Sequence, residues 1–260
     1  MKHAAVIRTL LTVASIAVVA SLVGCGTSPS SKPSMQRDTA WGPVVGSDDS
    51  ATSGTWSWKG VPYAKAPVGA LRWRAPHEPQ PWSTPRDASA YGPACVQTGR
   101  LYGPGLHNRH DETIGSTLGK TVGSEDCLYL NIWTPASVSV KPRAVIVFVH
   151  GGSNITGYTA DPVYDGATLA RDEDAVVVSV NYRLGIFGFL NLLSLKTGHR
   201  EDDSGNYALL DIVKALDEWP AGCGPTRPTR CSASCAGGSP PVAWRHRTPF
   251  PTAGSLRPIG

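Results

Sequence analysis

An apolar run that ends in glycines is the feature that most constrains the fold of this chain. Residues 145–149, Val-Ile-Val-Phe-Val, contain only β-branched and aromatic residues and are followed at once by His150, Gly151, Gly152 and Ser153. Such a run predicts a buried strand of a sheet. Glycines in the turn let backbone N–H groups approach a ligand without an intervening side chain. The sequence therefore predicts a strand that delivers backbone donors to a site at its end.

The net charge of +4 is unevenly distributed over the 260 residues. Residues 220–260 carry five arginines and no acid, and Lys2 and Arg8 lie near the N-terminus. Without these basic residues, acids slightly outnumber bases. With 41% hydrophobic residues the chain has a globular composition. This mildly acidic middle section does not favour nucleic acid as a partner.

The N-terminus has the pattern of an export signal. Lys2 and Arg8 accompany an apolar stretch at residues 9–23 that is short for a membrane span. The stretch ends in Leu-Val-Gly-Cys at residues 22–25, which resembles the lipobox of bacterial lipoproteins. This resemblance implies cleavage before Cys25, a diacylglyceryl group on its thiol, and anchoring on the extracytoplasmic face of a bacterial cell membrane. An ordinary secretory signal whose cysteine is incidental is the alternative.

Hydrophobic periodicity predicts strands that alternate with helices. Strands are expected at residues 128–133, 144–149 and 175–180, and a short helix is expected at residues 164–171. Because strands alternate with helices, we expect a parallel, mostly buried sheet.

The clearest helix is predicted at residues 206–219. Its apolar residues fall on one face, which we expect to be buried: Leu209, Ile212, Val213, Leu216 and Trp219. Asp211 and Glu218 are expected on a solvated face.

Several segments occur in an order that identifies a family. They are Lys-Gly-Val-Pro-Tyr-Ala at residues 59–64, Leu-Arg-Trp at 71–73, Ser-Glu-Asp-Cys-Leu-Tyr-Leu-Asn-Ile-Trp-Thr-Pro at 124–135, His-Gly-Gly-Ser at 150–153 and Val-Asn-Tyr-Arg-Leu-Gly at 180–185. Together they resemble the type-B carboxylesterase/lipase family, which includes bacterial para-nitrobenzyl esterases and the cholinesterases. The resemblance implies an α/β-hydrolase fold, here incomplete and holding the N-terminal half of the sheet. It also implies small-molecule carboxylic esters as substrates, with no cofactor and no metal.

The resemblance also assigns roles to the glycine turn. Gly151, Gly152 and Ser153 match the oxyanion hole, whose backbone N–H groups hold the charge that develops on the ester oxygen. A donor of this kind can contribute about 2.7–4 kcal/mol of transition-state stabilisation. A tight turn without catalytic meaning is the alternative. His150 matches a histidine of the oxyanion loop and not the general base of the family's Ser, His, Glu/Asp triad.

Two further pairs are assigned structural roles by the same resemblance. Cys95 and Cys127 match the family's first disulfide, which closes a surface loop and stabilises by about 3 kcal/mol in the loop-entropy model. Arg72 and Glu125 match a buried salt bridge.

The nucleophile of the family lies within G-x-S-x-G, and this motif does not occur in the 260 residues. Beyond residue 219 the periodicity stops, and eight prolines and three clustered cysteines follow. Reading the tail one base earlier can encode Asp-Pro-Thr-Asn and Leu-Phe-Gly-Glu-Ser, which resemble the family's residues at the nucleophile. We therefore expect a frameshift and a truncated, inactive copy of a carboxylesterase. The alternatives are an authentic divergent tail, and a non-catalytic, lipid-anchored binding module.

These expectations divide the chain into four segments. They are a lipoprotein signal peptide at residues 1–24, a flexible tether at 25–40, the N-terminal part of the α/β-hydrolase domain at 41–219, and an aberrant, disordered tail at 220–260.

Overall fold

The computed structural model describes residues 34–105, 113–139 and 142–221, with side chains up to residue 217. The expected signal peptide at residues 1–24, the lipidation site Cys25 and residues 222–260 of the tail lie outside the described residues.

Ten strands form three sheets in the described part of the chain. The strands are β1 (Gln36–Asp38), β2 (Pro43–Val45), β3 (Ser47–Asp49), β4 (Thr55–Pro62), β5 (Arg86–Asp87), β6 (Gln97–Thr98), β7 (Thr121–Val122), β8 (Tyr129–Pro135), β9 (Val145–Val149) and β10 (Val176–Val180). The main sheet has the order β3-β4-β8-β10-β9. The smaller sheets are β1-β2-β5 and β6-β7.

The described residues also contain three α-helices and three 3-10 turns. The helices are α1 (Ala167–Asp172), α2 (Gly185–Phe189) and α3 (Tyr207–Ala221), and the 3-10 turns are Gly69–Leu71, Pro162–Tyr164 and Leu193–Leu195. The prediction of a helix at 206–219 is confirmed by α3. The region predicted as one helix at 164–171 consists of the end of a 3-10 turn and then α1.

The expectation of a parallel sheet is wrong for most of these strands. β3, β4, β8 and β10 pair antiparallel, and β9 and β10 are the parallel pair of the main sheet. The connections explain the difference. A parallel pair needs a crossover, which α1 provides between β9 and β10, whereas a short turn joins β3 to β4 and allows antiparallel pairing.

Helices cover both faces of the main sheet. Val177 of β10 and Trp133 of β8 pack against Ala167 and Ala170 of α1 on one face. Val178 and Val180, which alternate with Val177 along β10, belong to the larger core that includes Ala208 and Ala215 of α3. The result is a three-layer arrangement of helix, sheet and helix.

The two strands that carry the site differ in burial. All five residues of β10 are buried, as the sequence predicts. β9 lies at the edge of the sheet, and Val147, Phe148 and Val149 retain 36–38% of their accessible surface. The prediction that β9 is a buried strand is therefore wrong for its second half. Both strands are apolar throughout, so composition alone does not distinguish a central strand from an edge strand.

The buried face of α3 matches the prediction only in part: Ile212 is half-buried and packs against the core, and the side chains of Glu218 and Trp219 lie outside the described residues. Leu209, Val213 and Leu216 are exposed. Among residues 207–217, whose side chains are described, the buried ones are Tyr207, Ala208, Asp211 and Ala215. Asp211, expected on a solvated face, is completely buried. A polar partner in the core, which helical periodicity does not reveal, determines the orientation of this helix.

That partner is Arg183, which follows β10. Its guanidinium donates to both carboxylate oxygens of Asp211, from Nε at 2.8 Å and from Nη2 at 2.6 Å, and its backbone N–H donates to the same carboxylate at 3.1 Å. Arg183 also donates to the carbonyl oxygens of Arg74 and Tyr207. Burial raises the pKa of Asp211, and the hydrogen bonds and charge of Arg183 oppose that shift. The ion pair therefore joins α3 to the end of β10 and to the segment around residue 74.

None of the helices within residues 34–105, 113–139 and 142–221 is both long and apolar enough to span a bilayer.

Substituting Asp211→Ala should destabilise the fold strongly. The change leaves the Arg183 guanidinium buried without its counter-charge, for which a loss of about 3–5 kcal/mol is typical. Urea unfolding of the chain, followed by circular dichroism, measures this loss. Asp217→Ala is the matched control, because Asp217 lies on the same helix but is exposed, and it should change the unfolding free energy by less than about 0.5 kcal/mol. Equal effects of the two substitutions would exclude a structural role for the buried pair.

Substituting Val147→Lys should reduce self-association of the chain. Val147 lies on an edge strand that has no second neighbour among the described residues, and a charged side chain on such an edge opposes pairing with another chain. Light scattering after size-exclusion chromatography measures the monomeric fraction. Val178→Lys, in the fully buried neighbouring strand, should instead unfold the domain. Unchanged association of Val147→Lys would show that molecules do not associate through this edge.

Candidate active site

The glycine turn begins where β9 ends, at the same end of the sheet as the segment that follows β10. The two strands pair in register from Val176 with Val145 to Val180 with Val149, so His150 and Asn181 leave the sheet side by side. Tyr182 stacks on the His150 ring with centroids 4.6 Å apart, and its hydroxyl donates to the His150 carbonyl at 2.9 Å. The parallel pairing therefore fixes where the turn starts.

Three consecutive backbone donors in the turn are available to a ligand. No acceptor for the N–H groups of Gly151, Gly152 or Ser153 occurs among the residues that the structure describes. Gly151 is exposed and Gly152 is half-buried. Successive backbone N–H groups of this kind at a turn form a concave site that favours a bound anion or a developing negative charge.

The turn is held in a backbone conformation that a side chain at Gly152 would oppose. Gly152 has φ 120°, and a Cβ built on it would lie 2.1 Å from the carbonyl oxygen of Thr156. The next two residues, Ser153 and Asn154, have φ 57° and 61°, which is the left-handed region. The N–H groups of Ile155 and Thr156 donate to the Gly152 carbonyl at 3.1 and 3.2 Å and close the turn.

His150 supports the turn from inside. Its side chain is buried, and Nδ1 lies 3.0 Å from the Gly151 carbonyl oxygen, so Nδ1 carries the proton and donates this hydrogen bond. A Cβ on Gly157 would lie 2.4 Å from the same Nδ1, so only glycine fits between the ring and the chain. Burial lowers the pKa of His150 below its ordinary value of 6.5. A buried, neutral imidazole that hydrogen-bonds its own loop acts as a structural support.

Gln97 is a supporting residue that the sequence did not reveal. Its Oε1 accepts hydrogen bonds from Thr156 Oγ1 at 2.7 Å and from the Gly157 N–H at 2.9 Å. Its Nε2 donates to the carbonyl oxygens of Gly157 at 2.9 Å and Cys95 at 3.1 Å. The amide is thus fully used, and it ties the far end of the turn to the segment beside the disulfide. The only available signal was the position of Gln97 two residues after Cys95.

The disulfide between Cys95 and Cys127 is present in the structure, with Cα atoms 5.0 Å apart. It closes the segment that contains β6 and β7. The loop is therefore connected to the turn through the Gln97 hydrogen bonds.

Arg72 and Glu125 form the expected ion pair, but it is not buried. Arg72 Nε and Nη2 each lie 2.5 Å from an oxygen of the Glu125 carboxylate, in a bidentate arrangement. The side chains keep 37% and 19% of their accessible surface, so the expectation of a buried bridge is corrected to a partly exposed one. This pair does not line the cleft at the glycine turn.

A cleft of about 620 Å³ opens beside the turn. Gly151 and Gly152 line it together with Thr156, Tyr158 and Tyr164 of the following segment. Gly157 and Asp161 of the same segment also line it, and the disulfide loop supplies the others: Arg100, Leu101, Tyr102, Gly103 and Leu118. Ser153 does not line this cleft. The cleft is thus a partly apolar space into which the N–H groups of Gly151 and Gly152 could donate hydrogen bonds to a polar group of a ligand.

A sheet covered by helices on both faces, with a glycine turn that presents backbone donors at the end of a strand, is the arrangement of an α/β-hydrolase. Solved structures are similar to this chain in fold: a thermophilic PNB esterase superposes with a TM-score of 0.61 at 37% identity, covering 73% of this chain and 35% of that chain. A PNB esterase superposes with a TM-score of 0.59 at 37% identity, with the same shares covered.

Sequence comparison narrows this class to a family. Residues 33–219 match the carboxylesterase family, and the chain belongs to that family. It is 40% identical to the para-nitrobenzyl esterase of Bacillus subtilis over 178 residues, which are 68% of this chain and 32% of that protein. It is 39% identical to the fumonisin B1 esterase of Sphingopyxis macrogoltabida over 184 residues, 71% of this chain and 31% of that protein. The chain thus spans about a third of the length of these relatives.

The burial of His150 should make stability depend on pH below its ordinary pKa. Well above the ordinary pKa of about 6.5 the ring is neutral in both the folded and the unfolded chain, so it adds no pH dependence there. As the pH falls further, the unfolded chain takes up the proton while the folded chain resists it, so the free energy of unfolding decreases. Urea unfolding at about pH 7.5 and about pH 5.5 should show a larger decrease for the native chain than for His150→Gln. Parallel decreases in the two proteins would mean that His150 does not contribute.

Proposed function

We propose that this chain supplies the oxyanion-binding part of a serine-type carboxylic-ester hydrolase. The observation that carries the proposal is the run of N–H groups at Gly151, Gly152 and Ser153 without acceptors among the described residues. When a nucleophile adds to an ester, negative charge develops on the carbonyl oxygen. Fixed donors at that position stabilise the transition state more than the ground state, because the charge is largest there.

The surrounding residues are proposed to act by position. His150 and Gln97 hold the two ends of the turn, so that its donors point to one place. The cleft beside the turn would receive the ester, with its carbonyl oxygen at the glycine N–H groups. The names of the relatives, para-nitrobenzyl esterase and fumonisin B1 esterase, support small-molecule esters as the ligand class.

The nucleophile is proposed to be missing from these 260 residues, since they contain no G-x-S-x-G. The oxyanion turn alone would then bind an ester without cleaving it. Anchoring on the extracytoplasmic face of a membrane through Cys25 is likewise a proposal, supported by the sequence of residues 22–25.

Ester binding at the turn can be tested by nuclear magnetic resonance. Adding diethyl glutarate to the ¹⁵N-labelled chain should shift the amide signals of Gly151 and Gly152. Gly152→Ala should abolish these shifts, because its Cβ would lie 2.1 Å from the Thr156 oxygen. Gly151→Ala is the matched control, since a Cβ there meets no atom within 4 Å, and it should retain binding. Unperturbed glycine amides at saturating ester would contradict the proposal.

The absence of turnover is tested on the same protein. Hydrolysis of p-nitrophenyl acetate should not exceed that of the unfolded chain, and a fluorophosphonate should not label it. Stoichiometric labelling of a serine, together with hydrolysis that the reagent inhibits, would show that the chain carries its own nucleophile.

A further inference from the structure

We propose that Arg100 makes the cleft selective for esters that also carry an ionised carboxylate group. The inference rests on the proposed function, because it places the ester carbonyl at the glycine turn. It names the substrate class of that site: monoesters or partial esters of dicarboxylic and polycarboxylic acids.

Arg100 lines the same cleft as Gly151 and Gly152. Its side chain is exposed, and within residues 34–105, 113–139 and 142–221 its guanidinium has no hydrogen bond and no ion pair. The other arginines that face inward are engaged, as Arg183 is with Asp211. Arg100 is therefore a cation in the lining of the cleft, and the N–H groups of its guanidinium remain available to a ligand.

Among the described residues the cleft has one charged lining residue of each sign, and the two do not pair with each other. The acidic residue among its lining residues is Asp161, whose carboxylate accepts the Val163 N–H at 3.0 Å and caps the 3-10 turn that follows. Arg100 and Asp161 are the only charged side chains among the described residues that line the cleft. Among the described residues Asp161 forms no ion pair with Arg100, so it leaves the hydrogen-bonding groups of the guanidinium open to a ligand.

The backbone of Arg100 is fixed relative to the oxyanion turn. It follows β6, which pairs with β7, and the Gly99 N–H donates to the Lys120 carbonyl at 2.8 Å. The Arg100 carbonyl accepts the Gly103 N–H at 3.2 Å. Three residues earlier, Gln97 is bonded to Thr156 and Gly157 at the end of the turn. The same short segment thus sets the position of both the cation and the glycine donors.

The neighbouring side chains suit the rest of such a ligand. Leu101, Tyr102 and Leu118 are exposed apolar residues of the lining, and they offer apolar surface to the hydrocarbon part of an acyl chain. A guanidinium offers a planar fork that matches the two oxygens of a carboxylate. An ester whose acyl chain ends in a carboxylate would therefore bind at two points, with its carbonyl at the glycines and its carboxylate at Arg100.

The test compares two esters of one acid that differ by a single charge. Monoethyl glutarate carries one carboxylate, and diethyl glutarate carries none. Dissociation constants for both are measured on the ¹⁵N-labelled 260-residue chain from the amide shifts of Gly151 and Gly152, at low and at high salt. The variants are Arg100→Ala and the matched control Arg200→Ala, which removes an equal charge from an exposed residue outside the cleft.

The proposal predicts that the native chain binds the monoester more tightly than the diester at low salt. Arg100→Ala should weaken monoester binding about fivefold, the upper range for an exposed ion pair, and leave diester binding unchanged. Arg200→Ala should change neither constant, and high salt should remove the preference in the native chain. Amide signals away from the cleft confirm that the variants remain folded.

Two outcomes overturn the selectivity. One is equal binding of both esters by the native chain, and the other is an equal effect of Arg100→Ala on both, either of which leaves the proposed ester site intact. If neither ester perturbs Gly151 or Gly152 in the native chain, the proposed function itself fails, and the role of Arg100 fails with it.

Discussion

The parallel pairing of β9 with β10 is the interaction on which the site depends. It aligns Val149 with Val180, so that the segments after the two strands leave the sheet side by side at the same end. The turn after β9 and the segment after β10 then contact each other through the Tyr182 hydroxyl, and the Gly185 N–H donates to the Asn154 carbonyl at 2.7 Å. A shift of one residue in this register would reverse the direction of every side chain in β9 and separate these contacts.

A second set of contacts holds the other end of the turn. The disulfide loop reaches the turn through one amide side chain, Gln97, rather than through a broad apolar contact. The turn is thus attached at its start to β10 and at its end to the disulfide loop. Because the loop also carries Arg100, the polar ends of the cleft have a common support.

The sequence predicted those features that depend on local pattern or on family motifs. The buried strand β10, the helix α3, the Cys95–Cys127 disulfide and the membership in the carboxylesterase family follow from such patterns. What it did not predict depends on long-range packing.

The misplaced features share that cause. β9 has the composition of a central strand, yet its edge position follows from sheet order, which no local run encodes. Asp211 was assigned to water because acids on helices are usually solvated, and its partner Arg183 lies 28 residues earlier in the sequence. Gln97 belongs to no motif, and only the fold brings it to residues 156 and 157.

The left-handed residues Ser153 and Asn154 have a consequence of their own. Non-glycine residues in this region are strained by about 1–3 kcal/mol each, so contacts made during folding must hold them there. The loop therefore loses conformational entropy when the domain folds, and a ligand of the proposed kind would not have to order the donors again on binding.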